Sequence, residues 1–374
     1  MNFDFSEDQE MLRNEVRKFL EARCKPTRVR SVLEDADRDH DDELWQELVA
    51  QGWTAMTLPE EHGGLGMSRT DLCVLAEELG RVLAPVPFAS TVYLLAEALM
   101  IAGTRTQREK LNAIATGKCI GCLAISEGPG EPDFDRVQAR VAGGKLTGTK
   151  LPVIDGMIAT DALVLAKDGN GETRLFLVAL HHETVRRDAL GTIDPSRGLA
   201  RISFDNTPVE PIGEPGLVDR LLDGAAVLLA FEQVGGADRA LEQAVEFVKE
   251  RHAFGRPVGS YQAIKHKLAD AFVNNQIARS NAYYGIWALD AGSNELPQAA
   301  AAARVSACQA FWYSARESIQ AHGGIGFTWE ADQHLFYRRA LALNMAVGSP
   351  GVWRDRLFTA VERIVCEGEA LEVA

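Results

Sequence analysis

The chain has 374 residues, enough for two or three domains with separate hydrophobic cores. Apolar residues make up 46% and charged residues 25%, which excludes disordered, collagen-like, coiled-coil and small disulfide-scaffold classes. Thirty-nine Lys and Arg against 53 Asp and Glu give a net charge of −14, the wrong sign for a nucleic-acid partner, although a local basic patch for a phosphate-bearing ligand is compatible with it.

Residues 1 to about 117 read as helical. Ser6 precedes Met11, Leu12, Val16, Phe19 and Leu20, which recur at helical spacing, and a further helix begins at Asp41 and runs to Val49. The stretch LPEEHGGLGMS (58–68) reads as a loop, and Thr70–Leu79 and Ser90–Ile101 as two more helices. From about 118 to 213 the texture changes to short β-branched or alternating runs: CLAIS, RVQARV, KLTGTKLPVI, ALVLAK, RLFLVAL and ARISFD. Their regular separation by Gly, Asp and Asn predicts a β-sandwich or barrel. From about 214 to 374 long helices return over Leu221–Arg251, Gln262–Leu289 and Gln298–Ala321. The expected class is α+β, with domains at 1–117, 118–213 and 214–374.

The N-terminal MNFDFSEDQE is acidic and lacks the apolar core of a signal peptide, and no apolar stretch is long enough to span a bilayer, so the expectation is a cytoplasmic protein without membrane contact. Six cysteines (24, 73, 119, 122, 308 and 366) are too sparse for a disulfide framework. Cys119 and Cys122 have CxxC spacing but no second ligand pair nearby, so they read as buried thiols rather than a metal site. His181 and His182 read as a loop pair for the same reason. No metal ligand set is expected.

Dinucleotide, P-loop, zinc-protease and serine-hydrolase signatures are absent. Two segments stand out: Phe247–Asp270, containing RHAFGRPVGSYQAIKHKLAD, and Ile319–Phe327, containing QAHGGIGF. In each, glycines lie beside a helix end, where backbone N–H groups can meet an anion. Read singly, each fits a helix–turn–helix joint as well as a ligand site.

Together with SEDQ (Ser6–Gln9) and LPEEHGGLG, these segments resemble the acyl-CoA dehydrogenases in order and spacing along essentially the whole chain. The resemblance implies an N-terminal helical domain, a middle β-barrel and a C-terminal four-helix bundle, usually assembled as a tetramer. It implies FAD as cofactor, an acyl-CoA thioester desaturated between its α and β carbons, and electron-transferring flavoprotein as electron acceptor. It assigns Arg251, Phe254, Val258, Gln262, Gln320, Gly323 and Gly324 to contacts with the FAD of a neighbouring subunit. An arginine suits a pyrophosphate and a phenylalanine an aromatic ring.

The departures concern the chain's own flavin and base. The family's TEPGAGSD-like segment reads Ser126-Glu-Gly-Pro-Gly-Glu-Pro-Asp133, so Glu131-Pro132 replaces a Gly-Ser pair. The family's Trp-Ile-Thr run reads Pro152-Val-Ile154. The usual catalytic glutamate, 24 residues after Gly323, is Val347, and the alternative position on the preceding helix is Ala225. Glu232 is about one heptad, ~10 Å, from that position and reads as structural; Asp223 points to another face. The catalytic residue is therefore unknown. This pattern resembles the non-catalytic partner subunit of heterotetrameric acyl-CoA dehydrogenases of steroid side-chain degradation. The alternatives are a self-sufficient homotetramer with a non-standard base and a non-enzymatic family member.

Overall fold

The computed structural model describes residues 6–372, without the side chains of 364, 365 and 367–372. Met1–Phe5, half of the stretch read against a signal peptide, lie outside the described residues. Helices come first: α1 (Glu7–Arg23), α2 (Pro26–Leu33), α3 (Asp42–Ala50), α4 (Arg69–Arg81), a π-helical stretch Ala89–Ala96 continuing into α5 (Glu97–Ala102), α6 (Arg105–Arg108) and α7 (Lys110–Ala115). Strands follow: β1 (Gly121–Ala124), β2 (Arg140–Ala142), β3 (Lys145–Ile154), β4 (Asp161–Lys167), β5 (Thr173–Ala179), β6 (Val185–Leu190), β7 (Leu199–Pro208) and β8 (Glu210–Pro211). The chain then forms α8 (Leu217–Glu250), a two-strand hairpin β9 (His252–Ala253) and β10 (Arg256–Pro257), α9 (Gln262–Asp290), α10 (Leu296–His322), α11 (Gln333–Met345) and α12 (Pro350–Glu372). The expected order of helical, β and helical zones is the order observed.

The elements gather into two compact units built from interleaved stretches. One comprises Met1–Pro26, Arg69–Ala84 and Ala226–Ala374; the other comprises Thr27–Ser68 and Pro85–Ala225.

In the helical unit, Ser6 caps α1 as expected: its hydroxyl accepts from the Gln9 amide, and the Gln9 side chain accepts from the Ser6 amide. Helices α4 and α8 cross in backbone contact. A Cβ on Gly80 would lie 1.8 Å from the Glu232 carbonyl oxygen, and one on Gly235 would lie 1.9 Å from that of Glu77. Only glycine permits that approach at either position. Beside the crossing, Arg279 of α9 bridges Glu77 of α4 (2.8 Å) and Asp238 of α8 (2.5 Å). Asn275 donates to Asp238 at 2.8 Å, and Ser314 of α10 donates to Asn275 at 2.9 Å. Four helices are thereby pinned by one polar network whose buried groups are paired.

The sheet unit holds one eight-stranded sheet in the order β6-β7-β3-β2-β4-β5-β8, with β1 adding in parallel to β4. β4 is buried along six of its seven residues, which explains its unbroken apolar run ALVLA. β6 carries no alternating apolar run in the sequence. Its sequence, VRRDAL, is polar because it is an edge strand without a fully buried residue. Helix α2 is likewise weakly marked in the sequence; it is only eight residues long and starts on Pro26, a residue suited to the first helical position. Cys119 and Cys122 are buried, as expected. Burial next to the Asp161 carboxylate pushes the Cys119 thiol up to about 12. His181 and His182 lie in the β5–β6 turn, where the His182 ring bonds the Thr184 hydroxyl at 2.8 Å.

Candidate functional site

The residues singled out at 251–262 and 320–324 all belong to the helical unit. Helix α8 ends at Glu250, and the β9–β10 hairpin turns through Phe254 (φ 53°) and Gly255 (φ 81°). That turn lifts Phe254 almost wholly out of the protein, with 98% of its surface exposed. Arg251 is exposed and has no side-chain partner among the described residues. Its carbonyl accepts from the Val258 amide at 2.7 Å, and the Tyr261 hydroxyl donates to the Ala253 carbonyl at 3.0 Å, so the loop is braced from within. Arg256 lies over the Tyr261 ring at 3.9 Å. Gln262 is exposed at the first residue of α9.

Gln320 is exposed in the last turn of α10, and Gly323 and Gly324 follow that helix. Gly323 has φ 61° and ψ −137°, a backbone shape that only glycine adopts readily. A Cβ on either glycine would meet nothing within 4 Å, so their backbone is open to an approaching group. Beyond them Ile325, Phe327 and Trp329 are 52%, 79% and 47% exposed.

One small core joins the two loops. Ala244 and Val248 of α8 and Ala321 of α10 are buried together, with Phe247, Val258, Ile264 and Leu268 packed against them. The singled-out Val258 is thus a packing residue at the loop's base, half-buried, while Arg251, Phe254, Gln262, Gln320, Gly323 and Gly324 are exposed. An exposed guanidinium, exposed aromatic rings and open glycine backbone suit an aromatic dinucleotide with a pyrophosphate. These residues fit FAD, the cofactor that the family resemblance implies.

The sheet unit's segment at 126–155 does not. Glu127 is turned inward: its carboxylate accepts from the amides of Gln138 (2.7 Å) and Ala139 (2.8 Å) and from Lys150 Nζ (2.8 Å). Lys150 is fully buried, and that burial pulls its pKa below the ordinary lysine value; the pairing and the two amides hold Glu127 below the ordinary carboxylate value. The following loop presents Glu131 and Asp133 to solvent. Pro152 has no N–H, and the amides of Leu151 and Asp155 donate to Ser126 (3.0 Å) and Gly198 (2.9 Å). Ile154 brings no hydroxyl donor. Asp155 is fully buried at φ 58°, paired with Arg197 at 2.9 Å and bonded by the Ser90 hydroxyl. The stretch lacks the family's side-chain hydroxyls at 132 and 154 and is fronted by carboxylates, the reverse of what a flavin and pyrophosphate need.

The positions considered for a base are closed as well. Val347 is 3% exposed and its carbonyl accepts from the fully buried Trp353 indole at 3.1 Å. Ala225 is fully buried. Glu232 is 5% exposed and lies 3.9 Å from Arg339, whose guanidinium also donates to the Leu83 and Ala84 carbonyls at 3.3 Å. Asp223 is 4% exposed. No cluster of metal-ligating side chains occurs among the described residues. Sequence reasoning missed Lys150, Arg197 and Gln333, whose partners lie 23, 42 and 11 residues away. No local motif marks such pairs.

Comparison with known proteins shows the family and the fold. Family models described as the N-terminal and C-terminal domains of acyl-CoA dehydrogenase match residues 6–118 and 216–361. The acyl-CoA dehydrogenase IpdE2 of Mycobacterium tuberculosis is 35% identical over 357 residues, 95% of this chain and 98% of its own length. The chain belongs to the acyl-CoA dehydrogenase family. Among solved structures, a variant of the Tcur3481-Tcur3483 steroid ACAD matches with TM-score 0.89 and 29% identity, over 96% of this chain and 99% of that one. The ChsE4-ChsE5 complex from Mycobacterium tuberculosis matches with TM-score 0.89 and 26% identity, over 97% and 99%. The N-terminal helices, central sheet and C-terminal helical domain are those of an acyl-CoA dehydrogenase. No helix among the described residues is long and apolar enough to cross a membrane.

Proposed function

We propose that this acyl-CoA dehydrogenase family member is the partner subunit of a heteromeric enzyme that desaturates a CoA thioester between its α and β carbons. The contrast between the two half-sites carries the reading. The edge made of Arg251, Phe254, Gln262, Gln320, Gly323 and Gly324 is exposed and suited to a neighbour's FAD, with Val258 holding its base. The chain's own flavin seat lacks the family's side-chain hydroxyls and is fronted by Glu131 and Asp133, and a buried valine occupies the position of the usual base. In this role Arg251 neutralises pyrophosphate charge, Phe254 covers an aromatic ring, and the open amides at 323–324 donate to phosphate oxygens. When bound, FAD supplies the two-electron acceptor for the acyl chain's β-hydrogen.

A second acyl-CoA dehydrogenase subunit would supply the base, electron-transferring flavoprotein would take the electrons, and the assembly would be a cytoplasmic tetramer. Two similar solved structures carry paired protein names, and one is called a steroid ACAD, which supports a two-chain assembly and a bulky, steroid-like acyl group. The domain limits 1–117, 118–213 and 214–374 belong to the same reading. The position of Glu232 beside Arg339 favours an ion-pair role over that of an unusual base. The test is the FAD-to-chain ratio, first for the chain purified alone and then after co-expression with a base-bearing family member. The expected ratio is near zero alone, with flavin and acyl-CoA-dependent bleaching in the complex. A ratio near one in the lone chain would overturn the proposal in favour of a self-sufficient flavoenzyme.

A further inference from the structure

We infer that His322 is a positioning residue: an imidazole that donates from Nδ1 and clasps the bases of both dinucleotide loops. The inference rests on the reading of those loops as one FAD-binding edge. The ring's protonation follows from its partners. Nδ1 lies 2.7 Å from the Ser318 carbonyl oxygen, which can only accept, so Nδ1 carries the hydrogen. Nε2 lies 3.2 Å from the Gln333 side-chain nitrogen, which can only donate, so Nε2 is bare and accepts. Both ring nitrogens are engaged, and the tautomer is fixed by the bonds themselves.

Each contact leads to a loop. The ring stacks on Phe247 of α8 with centroids 4.2 Å apart and planes 27° from parallel. The Phe247 carbonyl accepts from the Arg251 amide at 2.9 Å, so the stacked ring sits one helical turn from the guanidinium-bearing residue. On the other side, Gly323 follows the histidine directly. A Cβ on Gly326 would lie 2.5 Å from the Ile319 carbonyl oxygen and 3.0 Å from His322 Cβ, so the glycine turn folds back onto the same last turn of α10. Gln333 is buried in the first turn of α11, on the far side of that turn. One side chain therefore ties α8, α10 and α11 together at the place where both loops leave them. Removing it frees the 323–328 turn and the 251–258 hairpin together, although they are distant in sequence.

The test is hydrogen exchange read by mass spectrometry on the full chain alone and in complex with a base-bearing family member, the complex with and without FAD, together with nitrogen-15 NMR of the histidine rings. In the wild type, the ring signal that disappears in His322→Ala is expected to be that of an Nδ1–H tautomer. In His322→Ala, exchange within 320–328 and 250–258 is expected to rise about tenfold, the size of one lost buried hydrogen bond, with α4 unchanged. His322→Gln, whose amide reaches the Nε2 position, should restore much of the protection. Gln333→Leu, which keeps the ring on Phe247, should loosen 320–328 alone. An Nε2–H tautomer, or exchange that rises in only one loop in His322→Ala, overturns the clasp. FAD that protects neither loop of the wild type in the two-subunit complex, while the coupled rise persists in His322→Ala, overturns the FAD reading and leaves the clasp standing.

Discussion

Val347→Glu restores the residue type that acyl-CoA dehydrogenases usually carry as base, and it tests whether this chain retains a site for one. Val347 is 3% exposed, and its carbonyl is held by the buried Trp353 indole. No cationic side chain is bonded there among the described residues. A carboxylate introduced there loses its hydration without gaining a partner, so the group stays protonated in the folded state. Holding a glutamic acid neutral at pH 7 against an unfolded pKa of about 4.3 costs about 1.4 kcal/mol per pH unit, or about 3.7 kcal/mol in all. The folded pKa is raised above the unfolded one. The charge-related penalty is therefore absent below about pH 4 and grows as pH rises, until the folded pKa is reached. Thermal unfolding is expected to show a melting temperature about 5 °C below wild type at pH 7, a gap that narrows steadily toward pH 5. The variant should show no acyl-CoA oxidation in the lone chain, because the flavin seat is also altered. A pH-independent gap would refute the burial argument, and flavin bleaching by an acyl-CoA would refute the partner-subunit reading.

Further substitutions separate folding from cofactor binding. Phe254→Ala and Arg251→Ala remove exposed side chains, so each should leave stability within about 0.5 kcal/mol by chemical denaturation while lowering FAD retention in the two-subunit complex. Unchanged retention in both would count against the FAD edge. Lys150→Met leaves the Glu127 carboxylate with its two amide donors and no cation, and should cost about 3 kcal/mol in urea unfolding at pH 7. Because the Glu127 pKa is depressed in the folded state, the pair's contribution is full above the unfolded value of 4.5 and lost as pH falls through the lower folded value. The gap between Lys150→Met and wild type should therefore close on acidification. Five cysteines are buried and Cys366 is exposed, so iodoacetamide at pH 8 should label one thiol in the native protein and six after unfolding. Rapid labelling of Cys119 would contradict its raised pKa.

The sequence by itself determined the order of helical and β zones, because helical and strand periodicities differ and the Gly- and Asp-rich turns between them are local signals. It determined the family, because RHAFGRPVG and QAHGGIGF hold their residues at fixed spacing, and it marked the departures at Glu131, Pro152, Ile154 and Val347. Short or polar elements such as α2 and β6 escaped, since a helix of two turns or an edge strand carries too little apolar pattern. The tertiary structure alone decided what those residues experience. Phe254 is exposed because a positive-φ turn lifts it from the surface. Lys150 and Glu127, Asp155 and Arg197, and His322 with Phe247 and Gln333 meet only after folding. A charge or ring signals its own chemistry in sequence, but its partner is chosen by packing between segments far apart in the chain, and no local spacing encodes that choice.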